Sequence, residues 1–152
     1  MRHHHLYYLY SLSILKKIVS LQKIKELKKN VLICPLNWGL GHATRCVPII
    51  RGLLKSGDNV IIAADKAPLA FLKKEFPNLE FIKLPGFEPL YSKGDSQVFQ
   101  LLKSIPNALI NFNKEHKALE KIVDDYKIDL VISDNRFGCW SKKVHSIYIT
   151  HQ

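Results

Sequence analysis

The sequence has few cysteines, and their spacing excludes two classes of small protein. The sequence has three cysteines, Cys34, Cys46 and Cys139. Their number is odd, and no two of them form a CxxC pair. A disulfide framework needs an even and dense set of cysteines, and a structural zinc site needs paired ligands. We therefore expect reduced, semi-buried thiols in a cytoplasmic chain, and we expect no metal site.

The sequence also lacks the features of a membrane-spanning or secretory segment near its start. The apolar run Leu6–Leu15 has ten residues, about half of the ~20 residues that a membrane-spanning helix needs. Lys16 and Lys17 follow this run instead of preceding it, and no small-residue cleavage site comes after them. The run is therefore a poor signal peptide.

Acidic residues are scarce, and the excess positive charge is concentrated at one end. The net charge is +10, but residues 1–29 hold seven Lys or Arg residues and one Glu. The remaining chain is mildly basic and shows no basic face interleaved with aromatics, so we expect no nucleic-acid partner.

Residues 1–27 form a basic, apolar extension that has two interpretations. One is a basic amphipathic helix lying on the anionic inner face of a membrane, as a peripheral contact. The other is a poorly ordered leader or upstream sequence translated from a misassigned start. The second is favoured because the fold signal begins abruptly at Lys28.

Residues 28–152 have the pattern of one α/β domain. The 152-residue chain is 47% hydrophobic and 24% charged, which is typical of a globular protein. Strand signals alternate with helix signals: strands at 31–34, 60–64, 80–84, 129–133 and 147–149, and helices at 43–56, 67–76 and after a cap at Asp95 or Ser96. This alternation predicts a doubly wound, Rossmann-like parallel sheet with strand order 3-2-1-4-5.

Several local features refine that prediction. The second strand shows no alternation, so it is expected to be buried on both faces, and the alternating third strand is expected near an edge. Gly57 is expected just past the end of the first helix, and Pro48 early in that helix. Pro106 should kink or split the long third helix, on whose apolar stripe His116 is expected to pack.

The turn 36–45 between the first strand and first helix is rich in glycine. Gly39 and Gly41 are expected to take positive φ and to let a ligand approach the backbone. Thr44 is expected to cap the helix, and Arg45 to donate to an anionic ligand from the first turn. The loop 85–94, with two prolines and two glycines, either lines the same site or serves as a plain connector.

An acid–base pair is expected at the carboxyl edge of the sheet. The first and fourth strands are neighbours in the predicted order, so His42 and Asp134 are expected to face each other across the crevice. An Asp that binds one imidazole nitrogen leaves the other as a base for a hydroxyl. The alternatives are that His42 only binds backbone or phosphate, and that Asp134 only forms a turn or caps a helix.

A second chemistry remains open at the same turn. The pattern Gly39-x-Gly41-x-x-Thr44 half-matches the dinucleotide fingerprint, and Asp65 after the second strand is placed to bind a ribose. Thr44 stands where the fingerprint has its third glycine, which weakens this match. The partial match keeps a nucleotide-cofactor oxidoreductase open as an alternative function.

The nine residues Asn37–Arg45, followed by Pro48, resemble the first loop of bacterial GT-B-fold glycosyltransferases. The resemblance is greatest to the family-1/family-28-like enzymes with a Trp-Gly-Leu-Gly-His-Ala-Thr-Arg signature. The loop is more loosely similar to the Gly-Gly-His-x-x-Pro loop of the enzyme that adds N-acetylglucosamine to the peptidoglycan lipid intermediate. The segments 133–138 and 149–152 fit the same family, so the resemblance covers about residues 28–152.

The resemblance implies an enzyme of two Rossmann-like domains. The N-terminal domain mainly holds the acceptor, the C-terminal domain holds the nucleotide-sugar donor, usually a UDP sugar, and neither a metal nor a cofactor is required. In plant-type relatives a loop His is the base and an Asp after the fourth strand is its partner, which implies His42 and Asp134 here. In peptidoglycan-type relatives the loop contacts the donor diphosphate or the acceptor. The implied substrate-binding residues are Asn37, Trp38, Gly39, Gly41, Thr44, Arg45, Asn135, Arg136 and His151.

We therefore expect the acceptor domain of a glycosyltransferase that moves a sugar onto a hydroxyl of a glycan or lipid-linked acceptor. The donor half implied by the resemblance is absent from the 152 residues, so this chain alone is not expected to turn over. A truncated reading frame is favoured over a separate donor subunit, as in the split eukaryotic dolichol-pathway transferase, whose acceptor half is membrane-anchored. A non-catalytic docking subunit is a further alternative.

Overall fold

The computed structural model describes residues 28–86 and 97–150, with the side chains of all of these except 97–105 and 107. The strands are β1 (Asn30–Pro35), β2 (Asn59–Ala64), β3 (Glu80–Lys83), β4 (Leu130–Asp134) and β5 (His145–Ile149); the helices are α1 (Gly41–Lys55), α2 (Lys66–Glu75) and α3 (Gln97–Asp125). The predictions for residues 1–27, for the cap at Asp95 or Ser96, for the loop beyond Gly86 and for His151 lie outside the described residues.

The five strands form one parallel sheet in the order β3-β2-β1-β4-β5. This arrangement confirms the predicted doubly wound, Rossmann-like architecture. β1 lies at the centre, and its last residue, Pro35, is in register with Asp134 at the end of β4. The carboxyl ends of these two strands therefore meet at one point of the sheet edge, which is where such folds hold ligands.

Helices cover both faces of the sheet, which explains why the central strands are apolar without interruption. Val31 and Ile33 of β1 pack in a cluster with residues of α1 and α2. Leu32 and Cys34, the alternate residues, pack in a cluster with residues of α3. β2 divides between the same two clusters, so the prediction that it is buried on both faces is confirmed.

The two outer strands of the described sheet are less buried. β3 is short and partly exposed, which confirms its expected place at an edge. β5 forms the other edge, and its first four residues, 145–148, are exposed. Ile147 and Tyr148 keep 49% and 44% of their accessible surface. They point to opposite faces of the strand, so neither face of β5 is well covered by the described residues.

The helices differ from prediction at both prolines. α1 begins at Gly41, so Pro48 is the eighth residue of the helix and lies inside it, not early as expected. α3 continues through Pro106, so a split at this residue is wrong, and the alternative of a kink stays a prediction. A proline removes one backbone hydrogen bond, and both proline side chains are exposed. Gly57, with φ of +87°, follows the end of α1 as predicted.

Three further findings concern the described part of the chain. No helix there is long and apolar enough to span a bilayer. Within the same residues, no group of three or more His, Cys, Asp or Glu side chains is arranged to hold a metal ion. The three cysteines are free thiols, and all of them are buried.

Candidate active site at the carboxyl edge of the sheet

The turn after β1 is held against the end of β4 by backbone contacts. The Leu36 amide donates to the Asp134 carbonyl at 3.0 Å, and the Gly39 amide donates to the Asn37 carbonyl at 3.2 Å. Gly39 has φ of +81°, as predicted, in the region that glycine adopts without strain. The expected positive φ of Gly41 is wrong, because Gly41 is already the first helical residue.

The start of α1 has no side-chain cap. Leu40 is the N-cap residue, and its apolar side chain cannot accept a hydrogen bond. Thr44 is not the cap that was predicted, because the helix begins three residues before it. Its Oγ1 donates instead to the Gly41 carbonyl at 3.0 Å, a bond within the helix of the kind that threonine commonly makes.

His42, Arg45 and Asp134 meet in one cluster at this edge. His42 Nδ1 lies 3.1 Å from Asp134 Oδ2. Arg45 Nη2 donates to Asp134 Oδ1 at 2.6 Å, and its Nε donates to Oδ2 at 3.2 Å. The same Nη2 lies 2.8 Å from His42 Nδ1. The side chains of His42, Arg45 and Asp134 keep 14%, 33% and 1% of their accessible surface.

Asp134 is the charged centre of this cluster. Its carboxylate is buried, and the forked contact with Arg45 provides the cation that a buried anion needs. The charge also affects Cys46, on the next turn of α1. Burial chiefly, and the charge of Asp134 after it, raise the pKa of the Cys46 thiol to about 12. Cys46 is therefore protonated near neutral pH and is a poor candidate for a nucleophile.

A pocket of about 460 Å³ opens beside His42. Its apolar wall comes from Leu36 and Trp38 of the turn, Phe112 of α3 and Phe137 after β4. Its polar groups are His42, Asn135, Glu115 and Arg136. The size and the mostly apolar lining with a few polar groups are typical of a small-molecule site.

Arg136 lines the pocket, but its positive charge is paired with a carboxylate. It is 1% exposed, and its Nε and Nη2 donate to Glu115 Oε1 at 2.8 and 2.5 Å. Its Nη1 and Nη2 donate to the carbonyls of Ala63 and Leu84. These contacts give Arg136 a structural role, joining the ends of β2 and β3 to α3. Its predicted contact with substrate stays a prediction.

Glu115 was not among the residues singled out in the sequence. Its Oε2 accepts the amide of Gly138 at 3.0 Å, so it also holds the loop after β4. The available signal was weak: a carboxylate lies beside the apolar stripe of α3, between Phe112 and Leu119. Nothing in that pattern indicated Arg136 as its partner.

Aromatic side chains extend from the pocket toward β5. The ring centroids of Phe112 and Phe137 are 5.4 Å apart, and those of Phe137 and Tyr148 are 5.7 Å apart. His116 is stacked on Trp140 with centroids 4.2 Å apart, so it packs as expected. Phe137 keeps 62% of its surface, which leaves a broad apolar face available to a ligand.

The structure brings only part of the predicted set together. His42, Trp38, Asn135 and Arg136 line the pocket, and Arg45 and Asp134 adjoin it through His42. Asn37 is buried near Arg136; a Cβ added at Gly86 would lie 2.9 Å from Asn37 Oδ1 and 3.2 Å from Arg136 Nη2. Gly39, Gly41 and Thr44 are exposed at the turn. The substrate roles of these residues stay predictions.

The competing dinucleotide interpretation has its own residue, Asp65. It follows β2 and occupies the N-cap position of α2 with an extended backbone, and it is 8% exposed. Its carboxylate makes no capping bond to α2. Its predicted contact with a ribose stays a prediction.

The strand order and the helices on both faces define an α/β domain of the doubly wound class. Residues 29–150 match the family model described as glycosyl transferase family 1. The match covers most of the chain, and the protein belongs to that family. No curated protein matches the sequence.

Two plant structures are similar to part of the chain. One is Glycyrrhiza uralensis UGT73P12 complexed with glycyrrhetinic acid 3-O-monoglucuronide, with a TM-score of 0.46 and 14% identity over 70% of this chain and 24% of that one. The other is Arabidopsis thaliana UGT89C1 complexed with quercetin, with a TM-score of 0.42 and 18% identity over 70% of this chain and 34% of that one. The chain thus spans a quarter to a third of these proteins.

Proposed function

We propose that the chain is the acceptor-binding, N-terminal domain of a GT-B glycosyltransferase that uses a nucleotide sugar, with UDP as the leaving group. The observation that carries this proposal is the contact between His42 Nδ1 and Asp134 Oδ2 at the mouth of the pocket. Membership of glycosyl transferase family 1 supports the reaction class. The proposal also includes a second domain, which binds the donor.

The proposed reaction uses His42 as a general base. Its Nε2 takes the proton of an acceptor hydroxyl while the hydroxyl oxygen forms a bond to the anomeric carbon of the sugar. The bond from that carbon to the donor phosphate oxygen breaks, and the nucleoside diphosphate leaves with the electron pair. Asp134 stabilises the imidazolium that forms on His42. A positioned base of this kind contributes about 10²–10⁴-fold in rate.

The pocket indicates the kind of acceptor. Trp38, Phe112 and Phe137 form its apolar wall, and Arg136 is neutralised by Glu115. An acceptor with an apolar body next to its hydroxyl buries that body against the aromatic wall. This composition favours a lipid-linked or other apolar acceptor over a free glycan.

The test uses the protein encoded by the complete reading frame, including any codons downstream of Gln152. UDP release is measured with a panel of UDP sugars and apolar alcohols. His42→Gln is expected to lower kcat by at least about 100-fold with little change in donor KM, because a general base acts mainly on the chemical step. His145→Gln, an exposed histidine on β5, is the matched control and should keep full activity.

Two outcomes contradict the proposal. One is a His42→Gln variant that turns over at the wild-type rate. The other is tight binding of NAD(P) by the wild-type chain together with no UDP release from any sugar. The second outcome would favour the oxidoreductase alternative, which alone predicts tight dinucleotide binding.

A further inference from the structure

His42 Nδ1 has two neighbours that make opposite demands on it. The carboxylate of Asp134, 3.1 Å away, can only accept a hydrogen bond. The guanidinium of Arg45, with Nη2 at 2.8 Å, can only donate one. An imidazole nitrogen has a single in-plane position, which holds either a hydrogen or a lone pair. Nδ1 therefore satisfies one of these neighbours and not both.

The geometry around Asp134 decides between them. Both of its carboxylate oxygens already accept from Arg45, Oδ1 from Nη2 at 2.6 Å and Oδ2 from Nε at 3.2 Å. Arg45 Nη2 carries two hydrogens, and with one on Asp134 Oδ1 the other can be donated to His42 Nδ1, 2.8 Å away. A hydrogen on Nδ1 would face that N–H donor. With a lone pair on Nδ1, Arg45 keeps its hydrogen bonds to both oxygens of Asp134 and to Nδ1, and only the contact between Nδ1 and Asp134 Oδ2 is left without a hydrogen.

We propose that Arg45 is a positioning residue that sets the tautomer of His42. In the resting chain Nδ1 accepts from Arg45, and the ring proton resides on Nε2. His42 then offers a donor, not a lone pair, on Nε2. Arg45 and Asp134 therefore compete for His42, with Arg45 holding it in the resting tautomer.

The tautomer of His42 is inferred from the contacts of the three side chains. Its consequence for catalysis rests on the proposed function. A general base needs its lone pair on Nε2. Arg45 must therefore leave Nδ1, and the ring proton must move by exchange with water from Nε2 to Nδ1, where Asp134 accepts it. The Arg45 side chain is one-third exposed, so it has solvent to move into.

The test is a two-bond ¹H–¹⁵N correlation spectrum of the full chain labelled with ¹⁵N-histidine, at about pH 8.5, well above the ordinary histidine pKa of about 6.5. The signal of His42 is identified by its loss in His42→Gln. A pyridine-type ¹⁵N shift for Nδ1 with a pyrrole-type shift for Nε2 is the expected result. A protonated Nδ1 in the wild-type chain, whether the ring is neutral or cationic, would overturn the proposal.

Arg45→Met provides the second arm. It removes the Arg45 donor at Nδ1, so the proton is expected to move to Nδ1 and bind Asp134. Arg51→Met is the control, because Arg51 lies exposed on the same helix and pairs with Glu75; it should leave the spectrum of His42 unchanged. An Arg45→Met chain with wild-type amide dispersion and an unprotonated Nδ1 would contradict the proposal.

The wild-type spectrum decides the question even if Arg45→Met fails to fold. The measurement needs neither a donor nor an acceptor, so its failure is distinct from a failure of the transferase proposal. A chain that shows the expected tautomer and no transfer would retain the role of Arg45 and lose only its catalytic consequence.

Discussion

The buried pair of Glu115 and Arg136 allows a sharp test of how this site is built. The Arg136 side chain is 0% and the Glu115 side chain 5% exposed, and their closest atoms are 2.5 Å apart. Removing one partner of a buried pair leaves an uncompensated charge, which costs about 3–5 kcal/mol. We expect Glu115→Leu and Arg136→Met each to lower the free energy of unfolding by about that amount. This is a large part of the ~5–15 kcal/mol that holds a typical domain together.

The double variant is expected to lose less than the sum of the single losses. If the two effects were independent, they would total about 6–10 kcal/mol. The double variant contains neither charge of this pair, and its loss comes from the backbone groups of Ala63, Leu84 and Gly138 that these side chains bind. We assign each of these groups about 1 kcal/mol, the low end for a buried unsatisfied group. The double variant should thus lose about 3 kcal/mol.

The assay is urea denaturation of the four chains, followed by circular dichroism, with free energies taken from linear extrapolation. Equal m-values across the four chains are the control for two-state unfolding. The expected coupling is at least about 2 kcal/mol, whereas non-interacting positions add within about 0.5 kcal/mol. Losses that add within that margin would show that the pair is not energetically coupled, and the structural role of Arg136 would have to be abandoned.

Two further predictions concern packing and pH. Gly138→Ala should destabilise the chain by about 1–3 kcal/mol, because its Cβ would lie 2.7 Å from the Phe112 carbonyl oxygen. Its control, Gly52→Ala, lies in open space on α1 and should stabilise the chain by about 0.5–1 kcal/mol. Equal effects of the two substitutions in urea denaturation would contradict the close packing around Gly138. Burial raises the pKa of Cys46 from 9.0 to about 12, so above pH 9.0 the unfolded chain releases a proton that the folded chain keeps, and stability should fall as pH rises. In urea denaturation, the free energy of unfolding of Cys46→Ala should fall less with rising pH than that of the wild-type chain. The same pH slope in both chains would refute this prediction.

The charge distribution around the pocket differs from what the residue types suggested. Arg45 and Arg136 were expected to meet an anionic ligand or the substrate. Both guanidinium groups are engaged by carboxylates of the same chain, Asp134 and Glu115. The charges of both arginines are consequently offset by these carboxylates.

Much of the fold was predictable because its determinants are local. The apolar runs of β1, β2 and β4, the glycine after α1 and the alternation of strands and helices each depend on neighbouring residues. The place of Pro48 and the split at Pro106 were predicted wrongly for the same reason, since the sequence shows that a proline loses a hydrogen bond and does not show whether its position is exposed. Pro48 and Pro106 both lie on solvent-facing positions.

The candidate site was predictable only in part. The meeting of His42 with Asp134 follows from strand order, which the β-α-β alternation and the right-handed crossover rule restrict to few choices. That Asp134 also binds Arg45, and that Arg136 pairs with Glu115 across 21 residues, does not follow from any spacing. Such contacts depend on side-chain rotamers and on the exact approach of α3 to the end of β4.

The sequence by itself therefore determined the architecture and indicated His42 and Asp134 as the proposed base and its partner. Only the tertiary structure decided which charges are neutralised, which aromatic side chains wall the pocket and which nitrogen of His42 faces a donor. The physical reason is range: hydrophobic periodicity and turn chemistry act over a few neighbouring residues. The pairing of buried charges is set by elements that are distant in sequence and are brought together only when the sheet and its helices pack.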